Sequence, residues 1–128
     1  MKFNDKRIIL KLKKLSQNSY SKYSKFSVSS ILVTKKGKEF YGVNVENASY
    51  SLTICAERNA FFSALTSGEK DFKRIYIYAN SDKLPFPCGA CLQVMSEFVD
   101  EDFEIVLFSK KEKREFKFNE LLPKRFKL

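Results

Sequence analysis

The chain has 128 residues, 44% of them hydrophobic and 30% charged, and its 24 Lys and Arg against 15 Asp and Glu give a formal net charge of +9. This length predicts a single domain over residues 1–128 with one sizeable core, and the composition excludes an intrinsically disordered chain. No apolar run approaches the ~18 residues of a membrane span, and Met1-Lys2-Phe3-Asn4-Asp5-Lys6-Arg7 turns to charge too early for a signal peptide, so no membrane partner and a cytoplasmic location are expected.

In chain order, Ile8, Ile9, Leu12 and Leu15 recur at helical spacing and predict an amphipathic helix over 4–18. Ser27 to Thr34 is rich in β-branched and apolar residues and predicts a strand, Lys35-Lys36-Gly37-Lys38 a turn, and Glu39 to Val45 a returning strand. After a polar loop, a helix is expected from about Thr53 to Ser67, stopped by Gly68. Arg74 to Ala79 alternates as a strand, a helix runs from near Cys88 to Phe98, and strands follow at Glu104–Phe108 and Glu115–Phe118, with a capped turn at Asn119–Pro123. The order α-β-β-α-β-α-β-β predicts an α/β fold: a three-layer α/β/α sandwich around a mixed five-stranded sheet.

There is no histidine, and there are three cysteines. Cys55 opens Cys55-Ala56-Glu57-Arg58, and the other two form Pro87-Cys88-Gly89-Ala90-Cys91. Both clusters fall at predicted helix N-termini, where free N–H groups and the helix dipole favour thiolates. Three thiolates on a tetrahedral Zn²⁺ leave a fourth position for water, the arrangement of a catalytic metal, and Glu57 stands two residues after Cys55 to move protons. Cys-Gly-Ala-Cys alone equally fits a redox pair, a lone Cys55 fits a core residue, and a structural zinc module fits the positive charge. That last reading needs a fourth protein ligand, which no Cys or His supplies. The basic residues are dispersed (Lys35-Lys36, Lys110-Lys111, Lys124-Arg125) and fit a solvated surface better than a nucleic-acid face.

Several further segments occur in one order: Tyr23-Ser24-Lys25-Phe26, Asn44-Val45-Glu46-Asn47-Ala48-Ser49-Tyr50, Thr53-Ile54-Cys55-Ala56-Glu57-Arg58, Pro87-Cys88-Gly89-Ala90-Cys91-Leu92-Gln93-Val94 and Leu121-Leu122-Pro123-Lys124-Arg125-Phe126. Together they resemble the small, homotetrameric, zinc-dependent cytidine deaminases over nearly the whole length. The resemblance implies one Zn²⁺ per chain on Cys55, Cys88 and Cys91, and hydrolytic deamination of free cytidine and deoxycytidine in pyrimidine salvage. Zinc-activated hydroxide would attack C4 while Glu57 shuttles protons. It further implies that Arg58 withdraws charge from the thiolates. Asn44 and Glu46 would bind ribose hydroxyls, Phe26 would pack along the base, and the Ala56 N–H would meet the pyrimidine carbonyl. Tyr50 would line an intersubunit site and Phe126 reach a neighbouring subunit's pyrimidine, placing the active sites at subunit interfaces.

Two segments depart from the family pattern. Ser29-Ser30 replaces a small Gly-Ala pair, which puts tight packing there in doubt, and Leu92 stands where arginine is common. A deaminase of cytosine-bearing antibiotics of the blasticidin type is the alternative enzyme, and a non-enzymatic zinc-binding nucleic-acid module the alternative of another class. Asn44-Val45-Glu46-Asn47 and the terminal Leu-Leu-Pro segment favour the nucleoside.

Overall fold

The computed structural model describes residues 3–128; Met1 and Lys2 of the charged opening segment lie outside the described residues. Five strands form one sheet in the order β2-β1-β3-β4-β5: β1 (Val28–Thr34), β2 (Glu39–Val43), β3 (Phe72–Ala79), β4 (Glu104–Phe108) and β5 (Lys113–Lys117). Only β3 and β4 run parallel, and α3 (Gly89–Ser96) lies between them in the chain. The sheet is therefore mixed and five-stranded, as predicted.

Strand periodicity sends alternate residues to opposite faces. Val28, Leu32, Ile75, Ile77, Ile105 and Leu107 pack under α2 (Ala56–Thr66) and α3. Ile31, Tyr76, Tyr78, Val106 and Phe108 meet Ile8 and Leu12 of α1 (Phe3–Ser16) on the other face. Three layers result. Among the described residues, no helix is long and apolar enough to cross a membrane.

The neighbouring serines of β1 obey the same alternation. Both are fully buried, and each hydroxyl donates to a different helix: Ser29 Oγ to Leu12 O of α1 at 2.7 Å, Ser30 Oγ to Ala56 O of α2 at 2.8 Å. The pair is buried without an unpaired hydroxyl, because each serine finds a helix carbonyl as acceptor. On the adjacent strand, Gly42 lets β2 approach α2 closely: a Cβ there would stand 2.2 Å from Ala56 O and 2.6 Å from Ala60 N. Both are backbone atoms that cannot swing aside. Gly42→Ala should therefore cost about 1–3 kcal/mol in urea unfolding, and an unchanged midpoint would contradict this packing.

Helix α1 is tied to both edge strands. Asp5 meets Lys113 of β5 at 2.7 Å, while Glu39 of β2 accepts from Arg7 at 2.6 Å and Lys11 at 2.9 Å. Burial alone would raise the Glu39 carboxyl, but hydrogen bonds from Arg7, Lys11 and Tyr41 outweigh it and bring its pKa down from 4.5 to about 2. A carboxyl lowered on folding stabilises the native state above its unfolded pKa, and the contribution is lost as pH falls through the folded one. Stability should thus decline between pH 4.5 and about 2. Glu39→Gln should remove about 1 kcal/mol of that pH-dependent change, a modest figure because Arg7 and Lys11 are solvent-screened. Urea titrations of both proteins at several acidic pH values would check it, and parallel curves would refute it.

Several boundaries differ from the sequence reading. Among the strands, β2 ends at Val43 and not Val45, β3 begins at Phe72 and not Arg74, and β5 begins at Lys113 and not Glu115. Helix α2 begins at Ala56, not near Thr53, because Val45 and Ile54 exchange backbone hydrogen bonds of 2.9 and 3.0 Å that hold the approach to Cys55 extended. A single 3₁₀ turn, Tyr50–Leu52, precedes it. Helix α3 stops at Ser96 and not at Phe98. At the C-terminal end, Phe118 begins a short helix α4 (Phe118–Leu121) in place of ending a strand, since Glu120 accepts the Lys117 N–H at 2.8 Å and turns the chain.

Candidate active site

Two helices begin side by side and deliver the three thiols. Cys55 and Cys88 are the N-cap residues of α2 and α3, both with extended backbone, and Cys91 lies in the first turn of α3. One sulfur from each of Cys55, Cys88 and Cys91 lies within 4.8 Å of the others, with Cys88 and Cys91 Sγ 3.6 Å apart. Tetrahedral zinc with Zn–S of ≈ 2.3 Å needs sulfurs about 3.8 Å apart, so the donor set fits. Among the described residues, no fourth Cys, His or carboxylate joins this group. The set thus matches an open coordination site and not a closed structural one.

Arg58 reaches back one turn and donates from Nη2 to Cys55 Sγ at 3.5 Å. The Cys55 thiol is held down at about 5, first by a hydrogen bond with Cys91, against burial and with help from Arg58. Cys91, hydrogen-bonded to that thiolate and buried, is pushed up. Glu57 is buried in the first turn of α2, and desolvation, followed by the neighbouring Cys55 thiolate, lifts its carboxyl to about 7. A carboxyl poised there can both give and take a proton at neutral pH.

A cleft of ≈ 260 Å³ opens over these groups and is lined by Phe26, Asn44, Glu46, Cys55, Ala56, Glu57 and Cys88 among others. Seven of the residues singled out by sequence therefore meet at one place. Cys91 sits behind them in the core, and Arg58 contacts the sulfur from the side. Tyr50 does not line this cleft. It is 80% exposed and borders an adjoining hollow with Tyr23 and Asn47. Phe126 is likewise absent from the cleft, standing 65% exposed in the C-terminal tail. Leu92, in place of an arginine, is buried in the core under the sheet.

Asn44 and Glu46 are held by the segment that precedes β1. The Asn44 side chain donates to Phe26 O at 2.8 Å, accepts the Val28 N–H at 3.0 Å, and also pairs with the Ser19 hydroxyl. Glu46 accepts the backbone N–H groups of Tyr23 and Ser24, both at 3.0 Å, and the Ser24 hydroxyl. Lys25 makes the turn between them with φ of 61°, a left-handed conformation unusual for lysine. Ser24, Thr53 and Phe86 also line the cleft, and sequence reasoning assigned them no role. For Ser24 the signal was its place in Tyr23-Ser24-Lys25-Phe26; nothing local marks Phe86, which a proline-rich loop brings in from far along the chain.

An open three-thiol site with a buried, protonatable carboxylate beside it, set on an α/β/α sandwich, defines a zinc-dependent hydrolytic enzyme. The family model described as the cytidine and deoxycytidylate deaminase zinc-binding region matches residues 2–107. A cytidine deaminase from Mycoplasma genitalium is 33% identical over 129 residues, covering 99% of this chain and 98% of that protein. The crystal structure of a cytidine deaminase from Burkholderia pseudomallei superposes with a TM-score of 0.88 at 40% identity, covering 98% of this chain and all of that one. A blasticidin-S deaminase from Bacillus cereus is also similar, 30% identical over 87 residues and covering 62% of each chain. The chain belongs to the cytidine and deoxycytidylate deaminase family.

Proposed function

We propose that this chain, as one domain over residues 1–128, hydrolyses free cytidine and deoxycytidine to uridine and deoxyuridine with release of ammonia. The observation that carries this reading is the placement of Glu57: a buried carboxyl beside three convergent thiols, facing a cleft that Asn44 and Glu46 also line. Cys55, Cys88 and Cys91 hold the zinc, which when bound supplies Lewis acidity and a nucleophilic water near neutral pH. Glu57 accepts a proton from the attacking water and delivers it to N3 of the pyrimidine. It then passes the remaining hydroxyl proton to the amino group on C4, so that ammonia leaves and the C4 carbonyl forms.

The other groups orient the base. The Ala56 N–H, at the first position of α2, is one of the amides that a helix leaves free for an outside acceptor, here the pyrimidine carbonyl. Phe26 packs along the ring, and Asn44 and Glu46 take the ribose hydroxyls, pre-set by their bonds to the 23–28 segment. Arg58 draws charge from the thiolates, which would otherwise weaken the metal as an acid. We further propose a homotetramer whose subunit interfaces bring Tyr50 and Phe126 of one copy toward the cleft of another. Reduced thiols and a nucleoside substrate suit the cytoplasm and pyrimidine salvage.

Zinc-loaded protein should convert cytidine and deoxycytidine to products of lower ultraviolet absorbance, with blasticidin S run alongside as competitor substrate. No uridine from fully metallated protein would sink the reading. Turnover of the antibiotic alone would assign the chain to the alternative enzyme.

A further inference from the structure

We propose that Arg125 is a positioning residue that latches the C-terminal tail to helix α3 and thereby fixes where Phe126 projects. Beyond α4 the chain has no helix or strand, and its last backbone hydrogen bond runs from Leu122 N–H to Phe118 O at 3.0 Å. Among the described residues, Arg125 makes the only hydrogen bonds between residues 123–128 and the rest of the chain. Its Nη1 donates to Ser96 O at 3.0 Å and to Val99 O at 2.8 Å.

Those acceptors lie at and just past the C-terminal end of α3, where unpaired carbonyls and the negative end of the helix dipole attract a cation. The guanidinium also lies 4.5 Å over the ring of Phe118, which is fully buried. One planar group thus ties the tail to two fixed elements at once. Helix α3 carries Cys88 and Cys91 at its other end, so the tail is referenced to the helix that carries two of the three thiols. Phe126 follows immediately and keeps 65% of its surface exposed. An apolar ring held outward on an otherwise untethered tail is placed to serve a site outside its own chain.

The link to catalysis rests on the proposed tetramer, in which Phe126 meets a neighbouring copy's nucleoside. Arg125→Ala, Arg125→Lys, Phe126→Ala and the double variant would be compared as zinc-loaded proteins. In Arg125→Ala, chymotryptic cleavage after Phe126 should accelerate about tenfold, because local opening governs proteolysis. KM for cytidine should rise about tenfold with kcat within about twofold and zinc content unchanged. The double variant should match Phe126→Ala, since one residue acts through the other. Arg125→Lys, keeping the charge and some of the donors, should recover part of both effects.

Cleavage no faster in Arg125→Ala than in the parent would overturn the latch whether or not the protein deaminates cytidine. Additive KM effects, or a wild-type KM in Phe126→Ala, would overturn the route through Phe126. Failure of the parent protein to form uridine would instead count against the proposed function alone, with the proteolysis still deciding the latch.

Discussion

Replacing Glu57 with glutamine is expected to leave about one zinc per chain in place while cutting turnover of cytidine by about 10²–10⁴-fold or more. The amide keeps the size and shape of the side chain but cannot take a proton from water and return it to the ring. Glu57 is not part of the three-sulfur group, so its replacement removes no metal ligand. It is also buried, with its carboxyl raised to about 7 chiefly by desolvation, so a neutral amide suits that environment at little cost to folding. Metal content by atomic emission and initial rates on the same sample separate the two effects. Activity equal to the parent would remove Glu57 from proton transfer; loss of metal would instead make it a ligand.

Cys91→Ala should release the metal and with it all activity above background. Of the three thiols, Cys91 is the buried one, and its sulfur lies 3.6 Å from that of Cys88. Without it, two sulfurs remain, one half-buried and one exposed, which is too few to hold zinc against water and chelators. The loss should also appear as reduced stability. A ligand that binds only the folded form contributes about 2.7 kcal/mol at a hundredfold excess over its Kd. The parent treated with a chelator should therefore melt at a lower temperature, while Cys91→Ala should show no further shift. Stoichiometric zinc in the variant would contradict the ligand assignment.

The metal chemistry was legible because it is local. Cys55 with Glu57 and Arg58, and Cys88 with Cys91, each fit within one helical turn, and the absence of histidine left no other ligand of that kind. Strand faces were equally legible in Arg74–Ala79, where alternation sends Ile75 and Ile77 to one side and Tyr76 and Tyr78 to the other. Helix starts were less so: the Val45–Ile54 bridge that delays α2 joins residues whose pairing no local pattern encodes. Asn44 and Glu46 came from family resemblance, and the structure adds the reason they hold position, the Tyr23–Val28 segment bonded around them.

Other features depended on distant contacts and left no trace in a window of sequence. Gly42 reads as an ordinary strand glycine until Ala56 O and Ala60 N are found where its Cβ would be. Arg125 reads as one cation among many until Ser96 and Val99 present their carbonyls to it. Ser29 and Ser30 read as polar intrusions until each finds a helix carbonyl on its own side of the sheet.

By itself, then, the sequence determined which atoms are available for chemistry: three thiols, a carboxyl and a guanidinium at short, fixed spacings, on elements whose apolar period sets their faces. Only the tertiary structure decided that residues 55 and 88 become neighbours, that Glu57 is desolvated, and that Tyr50 and Phe126 stand outside the cleft of their own chain. The reason is that spacing along the chain constrains groups within a turn or two. Proximity across 33 residues (88 − 55) follows from the order β2-β1-β3-β4-β5, which sets the starts of α2 and α3 side by side on one face.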